Sequence, residues 1–138
     1  MSVIKELIRT EEDGTISFGN YELDTKSKLS DFEHDGDMYK VKTYNEITKL
    51  ERNGMFVYES VPGTAAEHFR VTDGGVEFTV EGSKDAQITV QLENDTDYEI
   101  YVNDSAVGNM MTNMSGKLSV SVELEEGISV PVKAVRRG

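Results

Sequence analysis

The residue types that most often perform acid–base or metal chemistry are scarce in this chain. The sequence contains two histidines, His34 and His68, and no cysteine. The histidines lie in different segments, and neither belongs to a His-x-x-x-His or Glu-x-x-His pair of the kind that places two ligands together. No Gly-x-Ser-x-Gly motif marks a serine nucleophile, and no thiolate is available. We therefore predict a protein without catalytic residues, cofactor or metal ion.

Two acidic loops come closest to a calcium site. One contains Asp31, Glu33, Asp35 and Asp37, and the other spans residues 94–97. Neither has the ligand spacing of an EF-hand loop or its glutamate at the twelfth position. Asp and Asn also favour turns, because their side chains bond to the backbone two residues further on. Turn formation explains both loops without calcium, and the sequence leaves calcium binding open.

One tyrosine is a candidate for contact with a ligand or partner. In the stretch 97–103, Tyr98 and Ile100 alternate with Tyr101, so Tyr101 falls on the opposite face of a strand, toward solvent or a second layer. An exposed tyrosine can stack on a sugar or anchor a protein partner. The alternative is ordinary packing between two β layers.

Three methionines form the second candidate. Met110, Met111 and Met114 cluster beside Val107 in a turn-rich stretch. Three flexible apolar side chains are unusual on a solvated loop. They either pack under the N-terminal half or contact another subunit. Together with Tyr101, they are the binding residues that we predict.

The charge of the chain limits its partners. The 138 residues include 26 acidic and 14 basic ones, which gives a net charge of −12. So acidic a surface repels phosphate backbones and anionic membranes, which argues against a nucleic acid or a membrane as partner. The N-terminal segment 1–9 has charges every few residues and lacks the apolar core of a signal peptide. We therefore expect a cytoplasmic protein.

The C-terminal half has the clearest structural pattern. Apolar and polar residues alternate in the runs 76–80, 88–92, 98–102 and 118–124, with turn residues about every ten positions. Together with a strand between the third and fourth of these runs and a last strand at 128–132, they make six strands, which predict a small antiparallel sandwich of the immunoglobulin or fibronectin III type. Pro131 lies in that last strand and has no N–H to donate, which predicts an edge strand or a bulge.

The N-terminal half is less regular. Residues 3–10 and 15–23 flank a Glu-Asp-Gly turn and predict a hairpin. Residues 43–52 fit either a strand or a two-turn helix, and the Asn53-Gly54 turn that follows favours a strand. Residues 64–71 are expected to be a connector with helical turns or a short edge strand.

The turn Asp73-Gly74-Gly75 separates these two patterns. We accordingly predict an all-β protein of two small antiparallel domains, 1–71 and 72–138, the second of them the mini-sandwich.

Three segments of the N-terminal half, 15–23, 39–51 and 58–64, carry a resemblance to a known family. With them the chain resembles short proteins of anaerobic Gram-positive bacteria that commonly carry the label endosialidase. The resemblance spans nearly the whole chain and implies a glycoside hydrolase acting on polysialic acid, although it offers no catalytic motif that can be carried over. The C-terminal half also resembles small sandwich modules appended to carbohydrate-active and surface proteins, through its Tyr-x-Val-Asn and Gly-Lys-Leu strands.

We expect a non-enzymatic module that associates with itself as a homo-oligomer or binds a protein partner. The alternatives are a carbohydrate-binding module that holds a glycan on exposed tyrosines, and the glycoside hydrolase that the resemblance implies.

Overall fold

The computed structural model describes residues 3–137, which form thirteen strands and no helix. The strands are β1 (Ile8–Thr10), β2 (Ile16–Phe18), β3 (Ser27–His34), β4 (Asp37–Tyr44), β5 (Ile47–Arg52), β6 (Met55–Val61), β7 (Ala65–Thr72), β8 (Gly75–Glu81), β9 (Ala86–Gln91), β10 (Asp97–Val102), β11 (Ser105–Met111), β12 (Lys117–Val122) and β13 (Val130–Arg136). The predicted all-β class is confirmed.

The strands form two antiparallel sheets. The seven-stranded sheet, called sheet A, has the order β1-β2-β7-β8-β13-β10-β11, and the six-stranded sheet B has the order β12-β9-β6-β5-β4-β3. One continuous hydrophobic core receives side chains from both sheets. The sheets therefore face each other as the layers of a sandwich.

The centre of the core is a group of four aromatic rings, Phe18, Tyr58, Phe69 and Phe78. Neighbouring rings lie with their centroids 5.0–5.8 Å apart, and most of the pairs meet edge to face. Tyr58 comes from sheet B and the three phenylalanines come from sheet A. Edge-to-face rings add to the stability that burial alone provides, so this group holds the two layers together.

The hydroxyl of the buried Tyr58 finds a polar partner within the core. It lies 2.7 Å from Thr64 Oγ1, which is also 2.7 Å from Ser60 Oγ. Burial raises the pKa of Tyr58, and these hydrogen bonds oppose the rise only in part. The hydroxyl therefore stays protonated and hydrogen-bonded inside the sandwich.

The predicted division near residue 71 falls inside β7. Hydrogen bonding crosses this point in both sheets, because β7 pairs with β8 and β6 pairs with β9. Each half of the chain contributes strands to sheet A and to sheet B. The six C-terminal strands divide four to two between the sheets.

Two of the local predictions are confirmed. The N-terminal hairpin exists as β1 paired with β2, although both strands are shorter than the apolar runs suggested. Residues 43–52 form no helix: β4 continues to Tyr44, and β5 then pairs with β6 across the Asn53-Gly54 turn. A turn at Asn45 and Glu46, which was not predicted, separates β4 from β5.

The prediction for the segment 64–71 is wrong. The segment is neither a helical connector nor an edge strand, since it forms most of β7, which lies between β2 and β8 within sheet A. Its alternation is hidden by a bulge between Glu67 and Arg70, where His68 adopts a positive φ of 53°. A bulge shifts the side-chain period by one residue and so removes the pattern that marks a strand.

The prediction that Pro131 marks an edge strand is also wrong, because β13 is an interior strand between β8 and β10. The carbonyl of Pro131 accepts a hydrogen bond from Asn103 N at 2.8 Å, so its nitrogen also faces the β10 side. The ladder between β10 and β13 ends at the pair Val102–Val132. The missing N–H therefore falls just beyond the end of this ladder, where it removes no strand pair.

Candidate functional site

The last strand of sheet A, β11, is uncovered along its whole length. All seven of its residues are exposed, whereas Tyr98 and Ile100 on the neighbouring β10 are each only 1% exposed. β11 pairs with β10 alone and forms one edge of the sheet. Sheet B thus covers β10 and leaves both faces of β11 in solvent.

The apolar side chains of β11 and the turn after it are exposed to an unusual degree. Val107 is 57% exposed, Met110 39%, Met111 68% and Met114 84%. None of the three methionines packs under the N-terminal half, which was one of the two expected arrangements. Exposed apolar groups that lie together, rather than singly, are typical of interaction surfaces.

The hydrogen-bond register shows which backbone groups of β11 are free. Thr112 N donates to Thr96 O at 2.9 Å, and residue pairs two apart share this type of pairing. Met110, which lies opposite Tyr98, therefore also points its backbone groups toward β10. The N–H and C=O groups of Asn109 and Met111 accordingly point away from the sheet.

A bulge divides β11 into two parts. Ile100 lies opposite Gly108 while the next residue, Tyr101, lies opposite Ala106, so Val107 is the extra residue. Gly108 has a φ of 137°, which a residue with a side chain rarely adopts. The regular part of the free edge therefore begins at Gly108 and ends at Met111.

The turn that carries Met114 is held firmly. Thr112 Oγ1 donates to Glu93 O at 2.6 Å and accepts from Thr96 N at 3.0 Å. A side chain at Gly116, where φ is 73°, would collide with Leu92 O. The exposed Met114 is thus presented on a fixed support.

Tyr101 lies on the outer face of sheet A, as predicted, and is half-buried. The ammonium of Lys133, on the adjacent strand β13, lies 5.1 Å from the centre of its ring. Both residues line a shallow groove of about 220 Å³, together with Glu77, Thr79 and Asp104. Met110 is on the inner side of the sheet, whereas Met111, opposite Asp97, is on the same outer side as Tyr101, so the structure does not place Tyr101 and all the methionines on one face.

A polar cluster that sequence reasoning missed lies at the other edge of sheet A. His68 Nδ1 is 3.0 Å from Asp13 Oδ2 and 3.2 Å from Thr15 Oγ1. The hydroxyl of Thr15, then its N–H, and then His68 hold the pKa of Asp13 down at about 2. No sequence signal indicated this group, since 53 positions separate Thr15 from His68 and only the pairing of β2 with β7 joins them.

This cluster does not have the geometry of a nucleophile–histidine–carboxylate triad. In a triad the two ring nitrogens of the histidine contact different partners, the carboxylate and the nucleophile. Here one nitrogen of His68 meets both partners, and the Thr15 hydroxyl donates to Asp13. The hydroxyl proton is therefore directed at the Asp13 carboxylate, whose lowered pKa makes it a poor base for activating the oxygen. The arrangement is suited to fixing the β1–β2 turn.

The acidic residues of the β3–β4 region do not converge on a common point. Within residues 3–137, no group of three or more His, Asp or Glu side chains is arranged to hold a metal ion. Asp37 instead accepts a hydrogen bond from Asn53 Nδ2 at 2.9 Å. In the same range, no helix has the length and apolar character to span a bilayer.

Comparisons with family models, with curated proteins and with solved structures find no match to this chain.

Proposed function

We propose that the protein is a non-enzymatic, cytoplasmic module that associates with itself through β11. The observation that carries this proposal is the edge strand itself: seven consecutive exposed residues, Ser105–Met111, without a single charge. A free strand edge pairs readily with another strand, and its backbone groups supply the hydrogen bonds.

Charge favours β11 as the place where two copies meet. Two chains of net charge −12 repel each other over most of their surfaces. An edge strand of serine, alanine, valine, glycine, asparagine and methionine adds nothing to this repulsion. A second copy can therefore approach β11 at a lower electrostatic cost than it can approach the acidic loops.

The outward-facing backbone groups suggest a register centred on Met110. Antiparallel pairing about a two-fold axis at this residue sets Asn109 of each copy opposite Met111 of the other. Both residues point their N–H and C=O groups outward, so this register makes four backbone hydrogen bonds. Met110 then lies opposite its own copy, and Met111 and Met114 approach Val107 of the second copy. One arrangement thus accounts for all four exposed apolar side chains.

The first test is the mass in solution. Short strand pairs bury little area, so we expect a reversible dimer with a dissociation constant of roughly 10 μM. Size-exclusion chromatography with light scattering should give the monomer mass well below this concentration and the dimer mass well above it. Added salt should strengthen the dimer, because it screens the repulsion between the copies. A monomer at all concentrations and salt levels would contradict the proposal.

The second test uses the absence of natural cysteine. In a register centred on Met110, the two Cα atoms lie about 4.5 Å apart, within the range that a disulfide spans. The variant Met110→Cys should therefore form a disulfide-linked dimer on mild oxidation. Ser121→Cys is the matched control, since Ser121 is an exposed residue on β12, an edge strand of the other sheet. Equal rates of cross-linking for the two variants would rule out pairing through β11.

A second candidate, glycan binding, has one observation in its favour. The groove beside Tyr101 combines an aromatic ring with carboxylates, a hydroxyl and an ammonium group, the mixture that sugars contact. Tyr101→Ala should abolish any signal on a glycan array. Tyr44→Ala is a close control, because the Tyr44 ring also has a lysine ammonium above it, that of Lys26 at 5.9 Å. Loss of signal in both variants would argue against a specific site at Tyr101.

A further inference from the structure

The two sheets separate at one end of the sandwich and leave a cleft of about 270 Å³. Its floor is apolar and consists of Ile16, Val57 and Phe69, which are almost completely buried. Its rim is polar and includes Arg52 and Arg70. An apolar floor with a few polar groups around it is the usual form of a small-molecule site.

Two residues of the polar rim occupy strand positions that, by the alternation of buried and exposed residues, belong to the core-facing side. On β4, Tyr39 shares a face with Val41, and on β5, Arg52 shares a face with Leu50. Val41 and Leu50 are completely buried between the sheets. Tyr39 and Arg52 lie opposite each other on neighbouring strands, so a half-buried hydroxyl and an exposed guanidinium stand at the open end of the space between the layers. The chain thus changes from core residues to hydrogen-bonding ones at the mouth of the cleft.

Neither arginine is engaged by a carboxylate. In the described part of the chain, the salt bridges involve Arg9, Lys49 and His68, and neither Arg52 nor Arg70 takes part in one. Burial raises the pKa of the Tyr39 hydroxyl and the nearby Arg52 guanidinium opposes that rise, while Arg70 Nη2 donates to Asp13 O at 3.0 Å. A guanidinium has five N–H donors, so both side chains keep donors for a ligand.

We propose that this cleft binds a small monocarboxylate that carries an apolar body. The carboxylate accepts hydrogen bonds from Arg52 and Arg70, a geometry to which the planar guanidinium is suited. The apolar body, of about the size of a phenyl ring, rests on Val57 and Phe69. This site is separate from β11 and does not depend on self-association.

The acidic residues of the rim restrict the charge of the ligand. Asp35 and Asp37 also line the cleft, so that two carboxylates balance the two guanidinium groups. A ligand with a single negative charge gains from the nearby arginines without strong repulsion from the aspartates. For a dianion such as a phosphate monoester, the attraction to the arginines and the repulsion from the aspartates both double, so the net charge of −12, which also repels it twice as strongly, disfavours it.

The probes for this proposal are phenylacetate, its neutral analogue phenylacetamide, and phenyl phosphate. Each is titrated into ¹⁵N-labelled protein while the backbone amide shifts are followed by NMR. Phenylacetate should give saturable shifts at Tyr39, Arg52 and Phe69, with a dissociation constant of roughly 1 mM, which is usual for a ligand of this size. Phenylacetamide and phenyl phosphate should each bind at least fivefold more weakly. Equal binding of the amide, or tighter binding of the phosphate, would overturn the proposal.

The variant Arg52→Gln tests the role of the guanidinium. Its side chain is exposed, so we expect an unchanged fold, which the remaining amide shifts will verify. Phenylacetate affinity should fall at least fivefold, while Arg136→Gln, a change at the C-terminal end of β13, should leave it unaltered. Equal affinity for wild-type protein and Arg52→Gln would show that the arginine does not hold the ligand.

Discussion

Two edge strands of this sandwich, β3 and β11, have similar lengths but differ in how their free edges are protected from pairing with another strand. β3 carries Lys28, Asp31 and Glu33, and a bulge between Leu29 and Phe32 interrupts its pairing with β4. β11 has no charged residue, and its regular part ends in two exposed methionines. Charges and bulges are the means by which proteins keep a free edge from pairing. One edge is therefore protected, and the other is protected only by the bulge at Val107.

The protected edge is also tied to the neighbouring sheet. His34, the last residue of β3, lies 3.0 Å from Thr10 Oγ1 through Nδ1 and donates to Gly14 O at 3.1 Å through Nε2. These bonds join β3 of sheet B to the end of β1 and to the β1–β2 turn of sheet A. At the opposite edge, residues 112–116 connect β11 to β12 of sheet B along the chain. The difference indicates that the fold closes one side of the sandwich and leaves the other available.

The largest expected effect comes from giving β11 the protection that β3 has. Met110→Lys places two introduced lysines directly opposite each other in the proposed dimer, and like charges in this position repel. The dissociation constant, measured by light scattering or analytical ultracentrifugation, should rise at least tenfold. The free energy of unfolding of the monomer should change by no more than about 1 kcal/mol, because Met110 is 39% exposed and the apolar part of a lysine side chain can cover the same surface while its charge reaches solvent.

Ser121→Lys is the control for this variant. It adds the same charge to β12, an edge strand of sheet B whose exposed residues are Lys117 and two serines. Lys117 already protects that edge from pairing. We expect its dissociation constant to stay within about twofold of the wild-type value, since the added charge reduces only the general repulsion. A similar loss of dimer in both variants would mean that charge in general, and not pairing at β11, controls association.

The reverse change, removing the protection of β3, should have a smaller effect. The double variant Lys28→Thr and Glu33→Thr leaves β3 with a less charged edge but keeps its bulge. Because each copy then offers two edges, chains can link beyond the dimer. We expect a minor population of tetramers and larger species at high protein concentration, seen by light scattering. A strictly dimeric double variant would show that the bulge alone protects β3.

The sequence predicted best those strands that have one buried and one solvated face. In β12, Leu118, Val120 and Val122 are buried while the serines between them are exposed, and this alternation is visible in the sequence. β3 gave no such signal, because its residues are all exposed or half-buried and no face is apolar. A strand that buries little has no reason to alternate.

The candidate site divides in the same way. The outward position of Tyr101 follows from its alternation with Tyr98 and Ile100, and the methionine cluster is visible in the sequence. The direction of the free backbone groups at Asn109 and Met111 depends on the register with β10, which a single strand does not encode. The cleft of Arg52 and Arg70 joins strands from opposite sheets, so it depends on the packing of the two layers.

The smallest expected effect is on the pH dependence of stability, through Asp13 in the β1–β2 turn to which β3 is tied. Asp13 has a pKa lowered to about 2 by the hydroxyl and N–H of Thr15, with a further contribution from His68. A carboxyl with a depressed pKa in the folded state contributes stability above its ordinary pKa of 3.8, and this is lost as the pH falls toward 2. The urea midpoint of Asp13→Asn should therefore be lower than that of the wild-type protein at pH 7, and the difference should shrink between pH 4 and pH 2. The stability of Asp13→Asn will still depend somewhat on pH, because a hydrogen bond from Ser17 also lowers the pKa of Glu11.

Asp24→Asn, outside this cluster, is the control and should change the urea midpoint little at any pH. The dimer should respond to neither variant, since β11 lies at the opposite edge of sheet A. A difference between Asp13→Asn and wild type that stays constant from pH 7 to pH 2 would show that the Asp13 carboxylate does not stabilise this edge by its charge.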